Sequence, residues 1–358
     1  MIDRTILLNL KPVTYLLGKE ALGQSMRYFS NYSGIFVLVD ENIKQYCLPV
    51  FRETLPDLHI DGVVSISSGE INKNINTAIA IWDQLTTMQA SRDSLLINLG
   101  GGVITDIGGF VASTFKRGMD FINVPTTLLG QVDAAIGGKT GIDFHEFKNH
   151  VGLFTNPKVV IVDPVFLNTL HDIHWRSGFS EVLKYALITD AGLWKTISNR
   201  HYTDLKDDWN SIIIKAAHDK IAIVKNDNFE QGIRKILNFG HTVGHALETF
   251  FLKTEHPITH GEAVAAGMIC ETWLSSQLTN LEEHSSVDIY NEIDKNFERL
   301  NFRTNNFDEL MRLMKQDKKV RQGQARFSLL KHIGEAIHDV DVSDELVLKS
   351  LEFYLSTK

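Results

Sequence analysis

Through the first 170 residues, short apolar runs alternate with segments of helical spacing. Gly34-Ile-Phe-Val-Leu-Val-Asp40 is a continuous apolar run closed by a carboxylate, the pattern of a strand buried on both faces. Residues 63–66, 94–99 and 121–124 repeat it, and 5–8 and 14–17 predict shorter strands. Helical patterns fall between them, over 21–29 and again after Gly69-Glu70 as far as Trp82. Strand, helix, strand in repetition predicts parallel pairing with right-handed crossovers. From about Leu170 the period lengthens, and 175–189, 193–199 and 211–226 read as amphipathic helices. The expected fold is an α/β N-terminal domain with a mainly parallel sheet over 1–170, followed by a mostly α-helical C-terminal domain over 171–358.

Composition changes this picture little. A chain of 358 residues is long enough to bury two cores. Apolar residues make up 43% and charged residues 22%, as in ordinary globular proteins. No run approaches the roughly 18 apolar residues of a membrane span, and no basic stretch with an apolar core opens the chain. Cys47 and Cys270 are the only cysteines and stand far apart, so neither a disulfide framework nor a thiolate metal site is indicated. A cytoplasmic enzyme is the expectation. The net charge of −8 argues against general nucleic-acid binding, but leaves room for a phosphorylated substrate held by a local cluster of Lys and Arg.

Two glycine segments carry candidate anion chemistry. Leu99-Gly-Gly-Gly-Val-Ile-Thr-Asp106 passes from a strand into a helix, where first-turn amides and the positive dipole end can face an anion. It is neither GxGxxG nor a P-loop, and a plain tight turn accounts for it nearly as well. Asp40 is placed to take a ribose hydroxyl of a dinucleotide or, equally, to cap a helix. The second segment, Asp133-Ala-Ala-Ile-Gly-Gly-Lys139, sets an ammonium among glycines, with Lys148 and Asn149 beyond. Lys184, Lys220, Arg234 and the Lys318-Lys319 pair add basic groups from the helical half. Each alone reads as a solvated charge.

His241 and His245 stand four apart, so on a helix both rings share one face. His260 opens an Ala- and Val-rich run that predicts a second helix, and Gly240, Gly244 and Gly261 permit close backbone approach. Three imidazoles around one helix pair suit a divalent metal, although a single histidine more often packs or caps. Glu181 and Lys184 share a helix face, and that carboxylate with two imidazoles makes a zinc set with room for substrate.

These motifs together resemble the 3-dehydroquinate synthase family of sugar-phosphate cyclases. The resemblance covers nearly the whole chain and is carried by Gly-Gly-Gly-Val-x-x-Asp106, Pro-Thr126-Thr127-Leu-Leu, Gly-Gly-Lys139-Thr-Gly, Lys148-Asn149, Glu181-Val-x-Lys184-Tyr, Asn238-x-Gly-His241-Thr-x-Gly-His245, His260-Gly-Glu-Ala-Val and Asp317-Lys-Lys. It implies Glu181, His241 and His260 as ligands of Zn2+ or Co2+, with His245 beside the substrate. It implies NAD contacts from Asp40, Asn42, Glu70, Lys73, Gly101, Gly102, Asp106, Thr126, Thr127, Lys139, Lys148, Phe166, Leu167, Asn168 and Thr169. The implied substrate shell is Asp133, Lys139, Asn149, Lys184, Lys220, Arg234, Asn238 and Lys318 or Lys319. A homodimer is implied in which Arg117 of one subunit reaches the other's substrate, with the active site in the cleft between the domains. The implied reaction converts 3-deoxy-D-arabino-heptulosonate 7-phosphate to 3-dehydroquinate and phosphate in the shikimate pathway. Asn228 and Gly130 depart from the family's commoner residues at positions without an assigned role. Another cyclase, for instance of the valiolone type, would keep the metal triad but differ around the substrate carboxylate. A polyol dehydrogenase would have no use for so many phosphate-directed lysines, and a non-catalytic protein would have shed ligands.

Overall fold

The computed structural model describes residues 5–10, 13–145, 147–316 and 326–357. The chain divides into two units, one formed by Met1–Trp175 with Trp209–Lys220, the other by Arg176–Asp208 with Ile221–Lys358. In chain order the strands are β1 (Ile6–Leu10), β2 (Val13–Leu17), β3 (Ile35–Asp40), β4 (Gly62–Ile66), β5 (Leu95–Gly100), β6 (Asp120–Pro125), β7 (Lys139–Phe144), β8 (Phe147–Phe154), β9 (Val159–Val162), β10 (Arg326–His332) and β11 (Glu335–Asp341). The helices are α1 (Glu41–Tyr46), α2 (Leu48–Thr54), α3 (Ile75–Thr87), α4 (Gly102–Thr114), α5 (Asp172–Ile188), α6 (Ala191–Ile197), α7 (Trp209–Asn226), α8 (His241–Phe251), α9 (His260–Leu278), α10 (Glu283–Asn296), α11 (Phe307–Gln316) and α12 (Asp344–Ser356).

The first unit is built on a sheet of order β1-β2-β9-β6-β5-β3-β4, antiparallel at β1–β2 and parallel elsewhere. The apolar runs are buried on both faces because successive residues point to opposite sides. On β3, Val37 and Val39 join one core with Phe51, Ile97 and Val124, while Phe36 and Leu38 join the other with Ile81, Ile104 and Ile107. Strand order reverses between β3 and β5, and in open α/β sheets ligands settle outside the carboxyl ends at such a point. Asp40 and the turn at Gly100–Gly102 end those two neighbouring strands.

Two local expectations shift, and a third segment takes a form that the sequence left open. The helix predicted over 21–29 is a short 3-10 turn, Gly23–Tyr28, in which the Ser25 hydroxyl bonds the Leu22 carbonyl at 2.6 Å and competes with a regular α-helix. The helix expected from Trp175 starts earlier, at Asp172. The segment holding Lys139 and Asn149 forms the antiparallel hairpin β7–β8, which lies against α4 at Gly109, where a Cβ would stand 2.4 Å from Thr140 Cγ2.

In the second unit α8 and α9 pack side by side. A Cβ at Gly267 would meet the Gly240 carbonyl oxygen at 1.9 Å, and one at Gly244 would meet the Ala263 carbonyl oxygen at 3.0 Å. The start of α9 is pressed equally closely on α5, since a Cβ at Gly261 would lie 2.4 Å from Ser177 Cα. Bare backbone at these positions decides how near the helices come.

Candidate metal centre and cofactor edge

Ser177 stands one helical turn before Glu181 on α5, and its Oγ accepts the Gly261 N–H at 3.1 Å. That contact fixes the first turn of α9 beside Glu181. A capping box closes the turn, with Thr259 Oγ1 accepting from Glu262 N–H at 3.3 Å and Glu262 Oε2 accepting from Thr259 N–H at 2.7 Å. The first turn of α8 is capped from outside its own sequence. Buried Glu271, on α9, accepts from the N–H groups of Gly240 at 2.7 Å, Thr242 at 3.1 Å and Val243 at 3.2 Å. It satisfies donors that a helix start leaves open.

These supports bring Glu181, His241 and His260 together, with one ligand atom of each lying within 4.8 Å of the others. Nε2 of His241 is 3.4 Å from Glu181 Oε1, and Nε2 of His260 is 3.3 Å from the same oxygen. His241 Nδ1 lies 3.0 Å from the Phe239 carbonyl oxygen and donates to it, which leaves the Nε2 lone pair facing the carboxylate. The fully buried Lys184 ammonium pairs with the other carboxylate oxygen, Oε2. Burial opposes ionisation of Glu181, yet Lys184 and His241 hold its carboxyl well below the ordinary range. Burial, with the Lys184 charge, pushes His241 down to about 4, so the ring is neutral near pH 7. An ionised carboxylate and a neutral imidazole are the protonation states a divalent cation requires. Burial opposes a charge on His260, but Glu248 and Glu181 outweigh it and push that ring up to about 10, so the donor set fits such an ion once binding releases the His260 proton.

His245 follows His241 by one turn, their ring centroids 5.2 Å apart, as the spacing predicts. Arg234 and Asn238 lie on the 3-10 turn Ile233–Asn238 that leads into α8. Arg234 is buried and donates from Nη1 to the Asn228 carbonyl oxygen at 2.7 Å, and Asn238 Nδ2 donates to Glu230 Oε1 at 2.7 Å. Lys318 and Lys319 lie outside the described residues.

In the sheet unit, Asp40 caps α1, its Oδ1 accepting from Ile43 N–H at 2.8 Å, so the capping role is met. Asn42 is exposed on the same helix. Gly101 begins α4 with no side-chain cap, which leaves the first turn fit for an anion. Buried Lys73 donates to Asp106 Oδ2 and to Asn149 Oδ1, each at 2.5 Å. Burial works against its charge, but Asp106 and Glu70 outweigh that and raise its pKa. Lys148 reaches Glu70 at 3.9 Å. Lys220 Nζ donates to the Asp133 carboxylate at 2.8 Å and to its carbonyl oxygen at 2.7 Å. Thr126 is buried after β6, and Thr127 Oγ1 accepts from Gly130 N–H at 3.0 Å. Phe166 and Leu167 are buried and Asn168 and Thr169 exposed on the turn after β9, while Lys139 and Arg117 are both exposed. The sequence reading thus joins two sets of residues, one in each unit. It passed over Ser177, Glu271 and Glu248. For Glu248 a signal existed, because 241, 245 and 248 share a helical face.

The fold is shared with solved synthases. A 2-epi-5-epi-valiolone synthase from Streptomyces hygroscopicus subsp. jinggangensis 5008, solved with NAD+ and Zn2+ bound, superposes with a TM-score of 0.86 at 24% identity over 99% of each chain. A 2-deoxy-scyllo-inosose synthase complexed with carbaglucose-6-phosphate, NAD+ and Co2+ gives 0.83 at 21% identity over 98% of this chain and 99% of that one. The sequence narrows the class. Residues 63–177 match the family model for 3-dehydroquinate synthase N-terminal and 178–320 the one for 3-dehydroquinate synthase C-terminal. A 3-dehydroquinate synthase from Parabacteroides distasonis is 42% identical over 330 residues, covering 90% of this chain and 92% of the relative. The chain belongs to the 3-dehydroquinate synthase family. Among the described residues, no helix is long and apolar enough to cross a membrane.

Proposed function

We propose that this chain converts 3-deoxy-D-arabino-heptulosonate 7-phosphate to 3-dehydroquinate and phosphate, within the shikimate pathway of aromatic amino-acid biosynthesis. The meeting of one Glu181 oxygen with the Nε2 atoms of both His241 and His260 supports the metal chemistry, and the match of residues 63–177 and 178–320 to the 3-dehydroquinate synthase family models carries the choice of substrate. NAD and Zn2+ or Co2+ are the proposed cofactors. When bound, NAD+ supplies a reversible hydride acceptor and the divalent cation a Lewis acid for the substrate diol.

The rest of the work falls to this chain's own groups. Glu181, His241 and His260 hold the cation. Asp40, Asn42, Glu70, Lys73, Gly101, Gly102, Asp106, Thr126, Thr127, Lys148 and the 166–169 turn would hold the dinucleotide, and the uncapped start of α4 offers amides to its phosphates. Lys139, Asn149, Lys184, Lys220, Arg234, Asn238 and one of Lys318 and Lys319 bind the substrate's phosphate and carboxylate, and Asp133 keeps Lys220 aimed. Clamping at both charged ends keeps the substrate in place through oxidation and loss of phosphate, and the carboxylate contacts keep it there through re-reduction, ring opening and ring closure. His245 takes and returns a substrate hydroxyl proton at a ring nitrogen. A homodimer in the cytoplasm, with Arg117 of the partner subunit completing the phosphate site, belongs to the same reading.

The test is an assay with the heptulosonate phosphate, NAD+ and Zn2+ or Co2+, following phosphate and dehydroquinate. Equal release of both products, without net NADH, is expected. NADH accumulating without phosphate would make the protein a dehydrogenase. Turnover of sedoheptulose 7-phosphate in place of the heptulosonate would make it a different cyclase.

A further inference from the structure

Glu248 lies on α8 one turn past His245 and two past His241, and only 4% of it is exposed. Its Oε2 is 3.5 Å from Nδ1 of His260, while the other nitrogen of that ring, Nε2, is 3.3 Å from Glu181 Oε1. His241 is set the same way, with Nε2 toward Glu181 and Nδ1 on the Phe239 carbonyl. The two imidazoles therefore offer equivalent nitrogens to one carboxylate oxygen, and each is tied back through its far nitrogen. The ties differ in charge. One is a neutral peptide carbonyl, the other a carboxylate. His245, Glu248 and His260 also form a second group whose ligand atoms lie within 4.8 Å of one another. A neutral imidazole has one lone pair and one N–H, so His260 serves either group and not both.

We propose that Glu248 is a positioning residue of the metal centre. It accepts the Nδ1–H of His260, fixes the tautomer with the Nε2 lone pair toward Glu181, and makes this imidazole the stronger donor of the two. The inference rests on Glu181, His241 and His260 being the ligands. A ligating histidine whose second N–H is held by a carboxylate is a recurring arrangement, and losing such a partner weakens metal binding about 10- to 100-fold.

The experiment uses the full chain, stripped of metal and free of NAD and substrate. Zn2+ affinity is measured by competition with a chromophoric chelator, and the visible bands of the Co2+-loaded protein are recorded. Glu248→Ala is expected to weaken Zn2+ binding about 10- to 100-fold. Glu248→Gln, whose amide oxygen still accepts the N–H, should fall between it and the parent protein. At saturating Co2+ both variants keep the parent bands, because the ligand atoms are unchanged, whereas Glu181→Ala loses affinity and shifts the bands. Should Glu248→Ala fail to fold, the near-isosteric Gln variant decides. Zn2+ affinities of both Glu248 variants within twofold of the parent, with Glu181→Ala defective, would overturn the positioning role and leave the ligand set standing. Retention of Zn2+ by Glu181→Ala with its loss in His245→Ala would place the cation in the second group, and both ideas would fall.

Discussion

In the sheet unit Asp40, Gly101 and Thr126 come at the ends of three separate strands, whereas in the helical unit the candidate ligands come from three packed helices, α5, α8 and α9. The first arrangement is built from turns. Asp40, Gly101 and Thr126 each sit where a buried strand stops and the chain must bend, and the Lys73 ammonium pairs with Asp106 on α4. The second is built from contacts between helices. Bare backbone at Gly244, Gly261 and Gly267 lets three helices approach, and a carboxylate and two imidazoles then share a buried point. A strand end offers a binding edge wherever the fold puts it, but a cation site among helices exists only if the packing is correct to within a side chain's reach.

The largest expected effect breaks the helical site directly. His241→Ala should lower Zn2+ affinity on the order of 10³-fold or more and abolish turnover, with an unchanged circular dichroism spectrum. A metal-replete, active variant would remove His241 from the ligand set.

Matched glycine substitutions come next. Gly267→Ala forces a methyl against the Gly240 carbonyl, and Gly108→Ala forces one to 2.0 Å from Asn98 Oδ1 under the sheet. Each should destabilise by about 1–3 kcal/mol as overpacking does. Only Gly267→Ala should also weaken Zn2+ binding in the chelator competition. Equal losses of affinity in both would erase the contrast between the units.

Glu271→Ala removes the acceptor for three N–H groups at the start of α8 and should cost about 2 kcal/mol, read as a lower midpoint in urea. A midpoint equal to that of the parent would show that water replaces the carboxylate.

The smallest effect concerns the loop before Arg234. Asp227 accepts from the N–H groups of Gln231 at 3.0 Å, Gly232 at 2.7 Å and Arg234 at 3.1 Å. Slight burial opposes ionisation, but these bonds hold its carboxyl below the usual value of 3.8. A depressed folded-state pKa stabilises the fold above the unfolded value, and that stabilisation is lost as pH falls through the folded one. The melting-temperature gap between the parent and Asp227→Asn should therefore be constant from pH 7 to about 5 and close below about 4. A gap that widens on acidification would reverse the sign.

The alternation of apolar runs determined the parallel sheet, because a strand buried on both faces needs no information beyond its own residues. The four-residue spacing of His241 and His245, the helix opening at His260 and the shared face of Glu181 and Lys184 were equally local, and each is present in the structure. Tertiary structure alone decided that the Lys139–Asn149 hairpin packs on α4, that Glu271 caps α8 from another helix, and that Glu248 faces the far nitrogen of His260. Periodicity fixes which face of a helix a residue occupies. It does not fix which other helix that face will meet, and the metal centre depends on three such meetings at once.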